Sequence, residues 1–150
     1  MEFRTKIRQS KAKITFTFLQ KPTSDQIQQI IRLYRLADWW TDTSDNPTLV
    51  RRMIAGSHCF IIATEGEAII GMGRALSDGV SDAYVQDVTV ADEYQHTGIG
   101  SLIVKKLVSR LQDDGLSWIG LIAERNSDAF YERLGFKLMP DSVPMLIEEK

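Results

Sequence analysis

The chain has few residues of the kinds that form covalent or metal cross-links: one cysteine and two histidines among 150 residues. A lone Cys59 excludes an internal disulfide and a cysteine zinc cluster, and His58 and His96 lack the spacing of metal ligands. Cys59 lies within an apolar run, so burial is its expected role. The sequence therefore predicts no metal cofactor.

Long apolar runs and a strong excess of one charge are also missing. No run approaches the roughly 20 apolar residues that cross a bilayer, and the first 13 residues lack the apolar segment of a signal peptide. The net charge is −2, whereas a dedicated nucleic-acid binder usually carries a basic excess. We expect a cytoplasmic protein without nucleic-acid or membrane partners. Basic residues near the start are expected to form a flexible arm or a strand edge: Arg4, Lys6, Arg8, Lys11 and Lys13.

The composition is that of a globular domain. Hydrophobic residues make up 43% of the chain and charged residues 25%, which is ordinary for such a protein. A chain of 150 residues can bury a real core. No repeat, linker or low-complexity segment divides it, so we predict one domain over residues 1–150.

Helix caps and apolar periodicity predict a mixture of strands and helices. Thr23 and Gln26 have the spacing of a capping box, and Asn46 before Pro47 is typical of a second helix start. The predicted order is strand Ile14–Leu19, two helices starting near these caps, strands His58–Thr64, Ala68–Leu76 and Ala83–Val90, helix Ile99–Asp113, strand Ser117–Ile122, helix Asp128–Leu134, and strands Phe136–Met139 and Pro144–Ile147. The third helix is expected to bury Ile99, Leu102, Ile103, Leu107 and Leu111. This order indicates an α/β sandwich with a mixed sheet.

The most informative stretch is the turn Gln95–Gly100, which joins a strand to the third helix. The first N–H groups of a helix have no intrahelical partner, and the peptide dipoles add positive potential there. Gly98 and Gly100 let a phosphate approach the main chain closely. The turn predicts a phosphate or pyrophosphate site at residues 95–101; an ordinary tight turn into a helix is the alternative.

Two common phosphate motifs fit this turn poorly. A Walker loop needs a lysine after its second glycine, and Ser101 follows Gly100 instead. A dinucleotide fingerprint needs a third glycine where this chain has Ile103.

Context points to another ligand. The spacing Gln95-x-x-Gly98-x-Gly100 follows a strand that ends in Val88-Thr89-Val90, and the segment NSDAFYERLGF over residues 126–136 follows about thirty residues later. Together they resemble the GCN5-related N-acetyltransferases (GNAT family), whose signature has Gln or Arg, then Gly, then Gly or Ala at this spacing. The family's second hallmark, N-x-x-A-x-x-F-Y-x-x-x-G-F, is present in a slightly compressed form. The likeness covers roughly residues 14–150.

The resemblance implies a GNAT-like acyl-CoA N-acyltransferase fold, a mixed central sheet with helices on both faces. In that family two central strands splay apart, here Ala83–Val90 and Ser117–Ile122, and acetyl-CoA lies between them. Main-chain groups of Val88 and Val90 would bond the pantetheine arm, and N–H groups of residues 95–101 the pyrophosphate. The implied acetyl-CoA residues are Val88, Thr89, Val90, Gln95, His96, Thr97, Gly98, Ile99, Gly100, Ser101, Asn126, Phe130 and Tyr131.

The resemblance also implies a general acid. Tyr131 occupies the position of the family tyrosine that commonly protonates the departing CoA sulfur, and a phenol with a pKa of about 10 can donate a proton at pH 7. The alternative is that Tyr131 only packs beside Phe130. Asn126 is expected to cap the following helix, with or without a bond to the cofactor.

The general base is less defined. Tyr84, Gln86 and Asp87 precede the turn, and strand alternation puts Tyr84 and Gln86 on one face and Asp87 on the other. A bulge, common in this strand of the family, would change that. Family members often have Glu or His here and this chain does not. We predict deprotonation through water held by Tyr84, Gln86 or a main-chain carbonyl, with Asp87 either the ionisable base or a structural hydrogen-bonding residue.

The acceptor site is expected in the loop between the first two helices, as in the family. Trp39 and Trp40 with Asp42 would form an aromatic and acidic wall suited to a cationic amine; the alternative is that the tryptophans pack and the aspartates cap. We predict an acetyltransferase that acts by direct attack of a small amine on acetyl-CoA. Protein or peptide acceptors, a silent acyl-CoA-binding module and a nucleotide binder stay as alternatives, and a homodimer is a possible assembly.

Overall fold

Five strands form one sheet in the computed structural model, which describes residues 13–41 and 46–148. The sheet is flanked by helices, and a single 3₁₀ turn, Asp92–Tyr94, precedes the third of them. The elements are β1 Ile14–Phe18, α1 Ser24–Leu36, α2 Pro47–Gly56, β2 Cys59–Glu65, β3 Ala68–Ser77, β4 Asp82–Val90, α3 Ile99–Asp113, β5 Trp118–Gly120 and α4 Asp128–Glu132.

The first two helices start where their caps predict. The Gln26 amide N–H donates to Thr23 Oγ1 over 3.1 Å and the Thr23 N–H donates to Gln26 Oε1 over 2.9 Å, a complete capping box. In α2, Asn46 Oδ1 accepts from the Leu49 N–H and Pro47 is the first helical residue. Both caps satisfy backbone groups that a helix start leaves without partners.

The strand order is β1-β2-β3-β4-β5, with antiparallel pairs up to β4 and a parallel pair between β4 and β5. The predicted mixed sheet is therefore confirmed. The parallel pair is short: Asp82–Tyr84 of β4 faces Trp118–Gly120 of β5. Beyond Tyr84 the two strands are no longer paired. From Val85 onward, the edge of β4 that faces away from β3 therefore has no strand beside it in the described part of the chain.

Apolar side chains bury themselves on both faces of the sheet, as a two-sided α/β layer requires. Helices α1 and α2 pack on Phe60, Ile62 and Met72. Helix α3 packs on the opposite face, formed by Ile61, Ala63 and their neighbours. The buried positions of α3 are Ile99, Ile103, Val104, Leu107 and Leu111.

One predicted core position in α3 is wrong. Leu102 is 43% exposed. Successive helical residues are about 100° apart, so a buried stripe centred on Ile103 and Leu107 turns Leu102 to its edge. Val104 takes the place that Leu102 was expected to fill.

A bulge interrupts β4 opposite β3. Met72 faces Thr89 but Arg74 faces Gln86, so β4 carries one extra residue between these pairs. Val85 before the bulge and Val88 after it both pack toward α3. The extra residue is Asp87, with φ +56, and it turns toward α1. The prediction from simple strand alternation, which put Asp87 and Gln86 on opposite faces, is therefore wrong. Both side chains lie on the face of the sheet that α1 covers.

The prediction for the last third of the chain is partly wrong. The strand expected over Ser117–Ile122 is only three residues long, and Trp118 in it is 39% exposed. The strands expected over Phe136–Met139 and Pro144–Ile147 are absent from the described residues. A strand needs a paired neighbour, and β5 offers an edge of only three residues. Pro140 and Pro144 also lack the N–H group that a strand ladder needs, so this segment does not extend the sheet.

No helix in the described ranges has the length and apolarity to cross a membrane.

Candidate active site

A cleft of about 1150 Å³ opens where β4 and β5 separate. Its walls are the end of α1, the strand β4, the turn before α3, the loop after β5, and α4. Most of the residues that the sequence singled out lie on these walls. Among the described residues, no group of three or more His, Cys, Asp or Glu side chains could hold a metal ion.

The β4 wall supplies main-chain groups. Val88, Thr89 and Val90 line the cleft, as predicted. The Val90 carbonyl accepts from Gln95 Nε2 over 3.2 Å, so part of Gln95 holds the turn against the strand end. Buried N–H and C=O groups need partners. The amides of a pantetheine arm would supply them to the unpaired stretch of β4.

The turn before α3 forms the anion end of the cleft. Gly98 is the N-cap of α3 with φ +87, a conformation that favours glycine. The Leu102 N–H donates to the Gly98 carbonyl over 3.1 Å, which leaves the N–H groups of residues 99–101 ahead of that bond. His96 and Ser101 line the cleft beside the glycines. This arrangement fits a pyrophosphate.

Two residues of the turn do not line the cleft. The Thr97 hydroxyl donates to the Tyr94 carbonyl, and Ile99 is buried against the sheet. Their side chains therefore shape the turn, and only their main-chain N–H groups remain as ligand donors. Gly100 lines the cleft, and a Cβ there would lie 3.6 Å from both Phe130 Cζ and Val90 Cγ2, an ordinary contact distance.

Helix α4 brings Phe130 and Tyr131 to the opposite wall. The Tyr131 ring makes edge contacts with Phe130 at 4.9 Å and with Phe136 at 5.8 Å between centroids. Burial raises the pKa of the Tyr131 phenol above its ordinary value, and the charge of Glu124 raises it further. The phenol is therefore protonated at neutral pH and able to donate.

The expectation for Asn126 is wrong in one respect. Ser127 is the N-cap of α4, and no side-chain cap bond is present. Asn126 has φ +60, is exposed, and does not line the cleft. The left-handed turn at Arg125 and Asn126 directs the chain into α4 without an Asn cap.

Of the three base candidates, Asp87 already has two hydrogen-bond partners within the protein. Its Oδ2 accepts from Arg74 Nε over 2.6 Å and from the Tyr34 hydroxyl over 2.8 Å. Burial, then the Asp87 charge, raises the Tyr34 pKa, so Tyr34 stays a donor. The same carboxylate oxygen already accepts two hydrogen bonds within the fold, which favours the structural alternative for Asp87.

Tyr84 and Gln86 also line the cleft. The Tyr84 ring contacts the Trp118 ring at 5.3 Å between centroids, which places Tyr84 where β4 and β5 part. Both side chains lie on the α1 face of the sheet. Their role in holding a water molecule stays a prediction.

The predicted acceptor residues divide into three cases. Trp39 lines the cleft. Trp40 stacks on Tyr34 with 4.3 Å between centroids and 9° between ring planes, so it packs in the fold as the alternative proposed. Asp42 lies outside the described residues.

Sequence reasoning missed Glu124 and Arg125, which line the cleft from the loop after β5. Arg125 Nη1 donates to the Ala37 carbonyl at the end of α1 over 2.9 Å, joining two walls of the cleft. Neither residue belongs to a periodic pattern. The only available signal was a pair of charged residues directly before the second motif.

The family model described as an acetyltransferase (GNAT) domain matches residues 18–144. Serotonin N-acetyltransferase 2, chloroplastic, of Oryza sativa subsp. japonica is 39% identical over 74 residues, 49% of this chain and 37% of that protein. Histone acetyltransferase TAP1 of Glycine max is 35% identical over 79 residues, 53% of this chain and 34% of that protein. This chain therefore spans well under half the length of either curated relative. The solved structure of a GNAT family acetyltransferase from Streptococcus pneumoniae TIGR4 superimposes with a TM-score of 0.75 at 25% identity, covering 92% of this chain and 99% of that one.

Proposed function

The chain belongs to the GNAT acetyltransferase family, and we propose that it transfers the acetyl group of acetyl-CoA to a primary amine by direct attack. One observation carries the proposal. A single cleft runs from the anion end at Gly98 and Gly100, along the unpaired edge of β4, to the buried phenol of Tyr131. That path matches in order the pyrophosphate, the pantetheine amides and the thioester of acetyl-CoA.

The anion end binds through main-chain groups. Each favourable contact of an anion with a helix start contributes about 0.3–1 kcal/mol, up to about 2 when partly buried. Several N–H groups before and within the first turn of α3 would act together on the pyrophosphate. Because these donors are backbone, the binding needs no lysine at this position.

The chemistry needs a neutral amine and a protonated leaving group. A simple alkylamine with a pKa of about 10.4 is mostly protonated at pH 7, so a proton must leave before the lone pair attacks. A water held by Gln86 and Tyr84 accepts that proton. As the carbon–sulfur bond breaks, the Tyr131 hydroxyl donates to the CoA sulfur.

The acceptor is a small amine in this proposal. Trp39 and Tyr84 offer aromatic surface beside the thioester end, which suits the apolar part of an amine. The relatives indicate both kinds of acceptor, since one is a serotonin N-acetyltransferase and another is a histone acetyltransferase. A peptide acceptor is therefore the alternative that the experiment must separate.

The test is the release of CoA thiol from acetyl-CoA with a panel of acceptors. The panel contains alkylamines, arylalkylamines, polyamines and lysine peptides of acidic, neutral and basic composition. We expect turnover with a small amine at lower KM than with any peptide. Preference for a peptide would replace the small-amine assignment.

Two further outcomes would overturn the proposal itself. Tight CoA binding without turnover on any amine would indicate a silent binding module. Protection of the protein from thermal unfolding by ATP or NAD, but not by CoA, would indicate a nucleotide binder.

A further inference from the structure

Among the described residues, three carboxylates line the cleft, and two of them already have hydrogen-bond partners. Asp87 accepts from Arg74 and Tyr34, and Asp92 accepts from Gln95 Nε2 over 3.1 Å. Glu124 is different, since no hydrogen bond or ion pair joins its carboxylate to any residue within 13–41 and 46–148. An anionic side chain in a ligand cleft with no partner is available to a cationic ligand.

Hydrogen bonds hold the loop at Glu124 and at the residue that follows it. The Glu124 carbonyl accepts from the Ser127 N–H over 3.1 Å and from Ser127 Oγ over 2.6 Å. The next residue, Arg125, reaches away to the Ala37 carbonyl. Because Arg125 is anchored at α1, its guanidinium does not neutralise Glu124, and the backbone beneath the carboxylate is held in place.

Glu124 also lies near the reacting end of the cleft. Glu124, in the loop after β5, and Tyr131, on α4, both line the cleft, and the Glu124 charge raises the pKa of the Tyr131 phenol. Glu124 is exposed to solvent, so a dissolved amine can reach its carboxylate. A positive group bound by Glu124 would therefore sit in the same cleft as the hydroxyl proposed to protonate the CoA sulfur.

We propose that Glu124 is a specificity-determining residue that binds the ammonium form of the acceptor and selects cationic amines. This inference rests on the proposed acetyltransferase function and deepens it. The ammonium is held by Glu124 in the cleft, loses one proton to the water held by Gln86 and Tyr84, and then presents its lone pair to the thioester carbonyl. Neutral isosteres of the acceptor gain nothing from Glu124.

The experiment compares Glu124→Gln, Glu124→Asp and the control Glu132→Gln. Glu132 is exposed on α4 and does not line the cleft, so its variant removes the same charge from a nearby place. The acceptors are n-butylamine, 2-phenylethylamine, tyramine and 1,4-diaminobutane, and 2-phenylethanol serves as an uncharged inhibitor. Thiol release gives kcat and separate KM values for amine and acetyl-CoA.

We expect Glu124→Gln to raise the amine KM by about three- to tenfold, as for loss of a charge-assisted hydrogen bond. The KM for acetyl-CoA and the inhibition constant of 2-phenylethanol should not change. Glu124→Asp should restore part of the amine affinity, and Glu132→Gln should match the natural protein. The basic limb of the profile of kcat against pH should move to lower pH in Glu124→Gln, because the Glu124 charge no longer raises the pKa of Tyr131.

The possible failures are distinct. Equal amine KM values in the natural protein and Glu124→Gln, with normal turnover, would overturn the role of Glu124 and leave the acetyltransferase proposal intact. An equal rise in the KM for both substrates would assign Glu124 to general cleft structure instead. Absence of thiol release by the natural protein with all four amines would overturn the small-amine function and this inference together.

Discussion

Arg74 and Asp87 form an ion pair at the wall of the cleft, with 2.6 Å between Nε and Oδ2 and only 13% and 21% of the two side chains exposed. The pair links β3 to the bulge of β4, and the Tyr34 hydroxyl ties the same oxygen to α1. Tyr34 in turn carries the stacked ring of Trp40. The bulge lies in the part of β4 that has separated from β5. Arg74 of β3 and Tyr34 of α1 together hold it in place.

Replacing Asp87 with Asn should lower stability more than chemistry. The change leaves the Arg74 guanidinium partly buried without its anion, and we expect a loss of about 1–3 kcal/mol in the free energy of unfolding. Urea titration measures that loss, with Asp82→Asn on the exposed start of the same strand as a neutral control. A kcat reduced by about a hundredfold or more in a variant of unchanged urea midpoint would instead make Asp87 the general base.

Replacing Tyr131 with Phe should separate acid catalysis from packing. The ring contacts with Phe130 and Phe136 need no hydroxyl, so the melting temperature should stay the same. If the phenol donates to the CoA sulfur, kcat should fall by roughly 10²–10⁴ while the KM for acetyl-CoA stays close to its original value. Tyr94→Phe also removes a hydroxyl from a cleft residue, one that the proposed chemistry does not use, and serves as the matched comparison. Full activity in Tyr131→Phe would leave that residue with a packing role only.

The pH dependence of the reaction gives a second measure of Tyr131. Its pKa is raised by burial and by Glu124, so the phenol should remain a donor above the ordinary tyrosine value of about 10. The kcat profile should therefore show its basic limb above that value in the natural protein and lose that limb in Tyr131→Phe. A limb below it would point to another group.

The two glycines of the turn should respond differently to alanine. Gly98 has φ +87, so Gly98→Ala forces a left-handed residue and should cost about 1–2 kcal/mol of stability. At Gly100 the nearest atoms to a new Cβ are 3.6 Å away, so Gly100→Ala should fold normally. A methyl group there faces the ligand side of the helix start, and calorimetry should show weaker CoA binding. Unchanged CoA affinity in Gly100→Ala would argue against close approach of the pyrophosphate.

A surface cluster at the end of α3, formed by His58, Arg110 and Asp114, should contribute to the dependence of protein stability on acid pH. Asp114 Oδ2 accepts from His58 Nε2 over 2.8 Å and from Arg110 Nε over 2.9 Å, and these bonds lower the Asp114 pKa. A lowered folded pKa stabilises the protein above the unfolded value of about 3.9, and that stabilisation is lost as pH falls through the folded pKa. Urea midpoints measured from neutral to acid pH should fall less steeply in Asp114→Asn. An identical slope in both proteins would exclude this contribution.

Local patterns predicted most of the fold. The capping box at Thr23 and the Asn46–Pro47 start depend on residues three or four apart, so they are readable without tertiary information. The strand, glycine turn and helix that form the anion end are contiguous as well. The burial predicted for Leu102 was wrong because apolar periodicity shows that a helix has a buried stripe but does not locate the centre of that stripe.

The candidate site divides along the same line. The sequence by itself determined the order of the elements up to α4, the turn at Gln95–Gly100 and the placement of Phe130 and Tyr131 on α4. The cytoplasmic location stays a prediction. Only the tertiary structure decided that Asp87 is paired with Arg74, that Trp40 packs on Tyr34, and that Glu124 has no hydrogen-bond or ion-pair partner among the described residues. It also decided that the chain after α4 forms no strand in the described residues. The physical reason is that hydrogen bonds, ion pairs and strand ladders join residues far apart in sequence, and local periodicity carries no information about which of them meet.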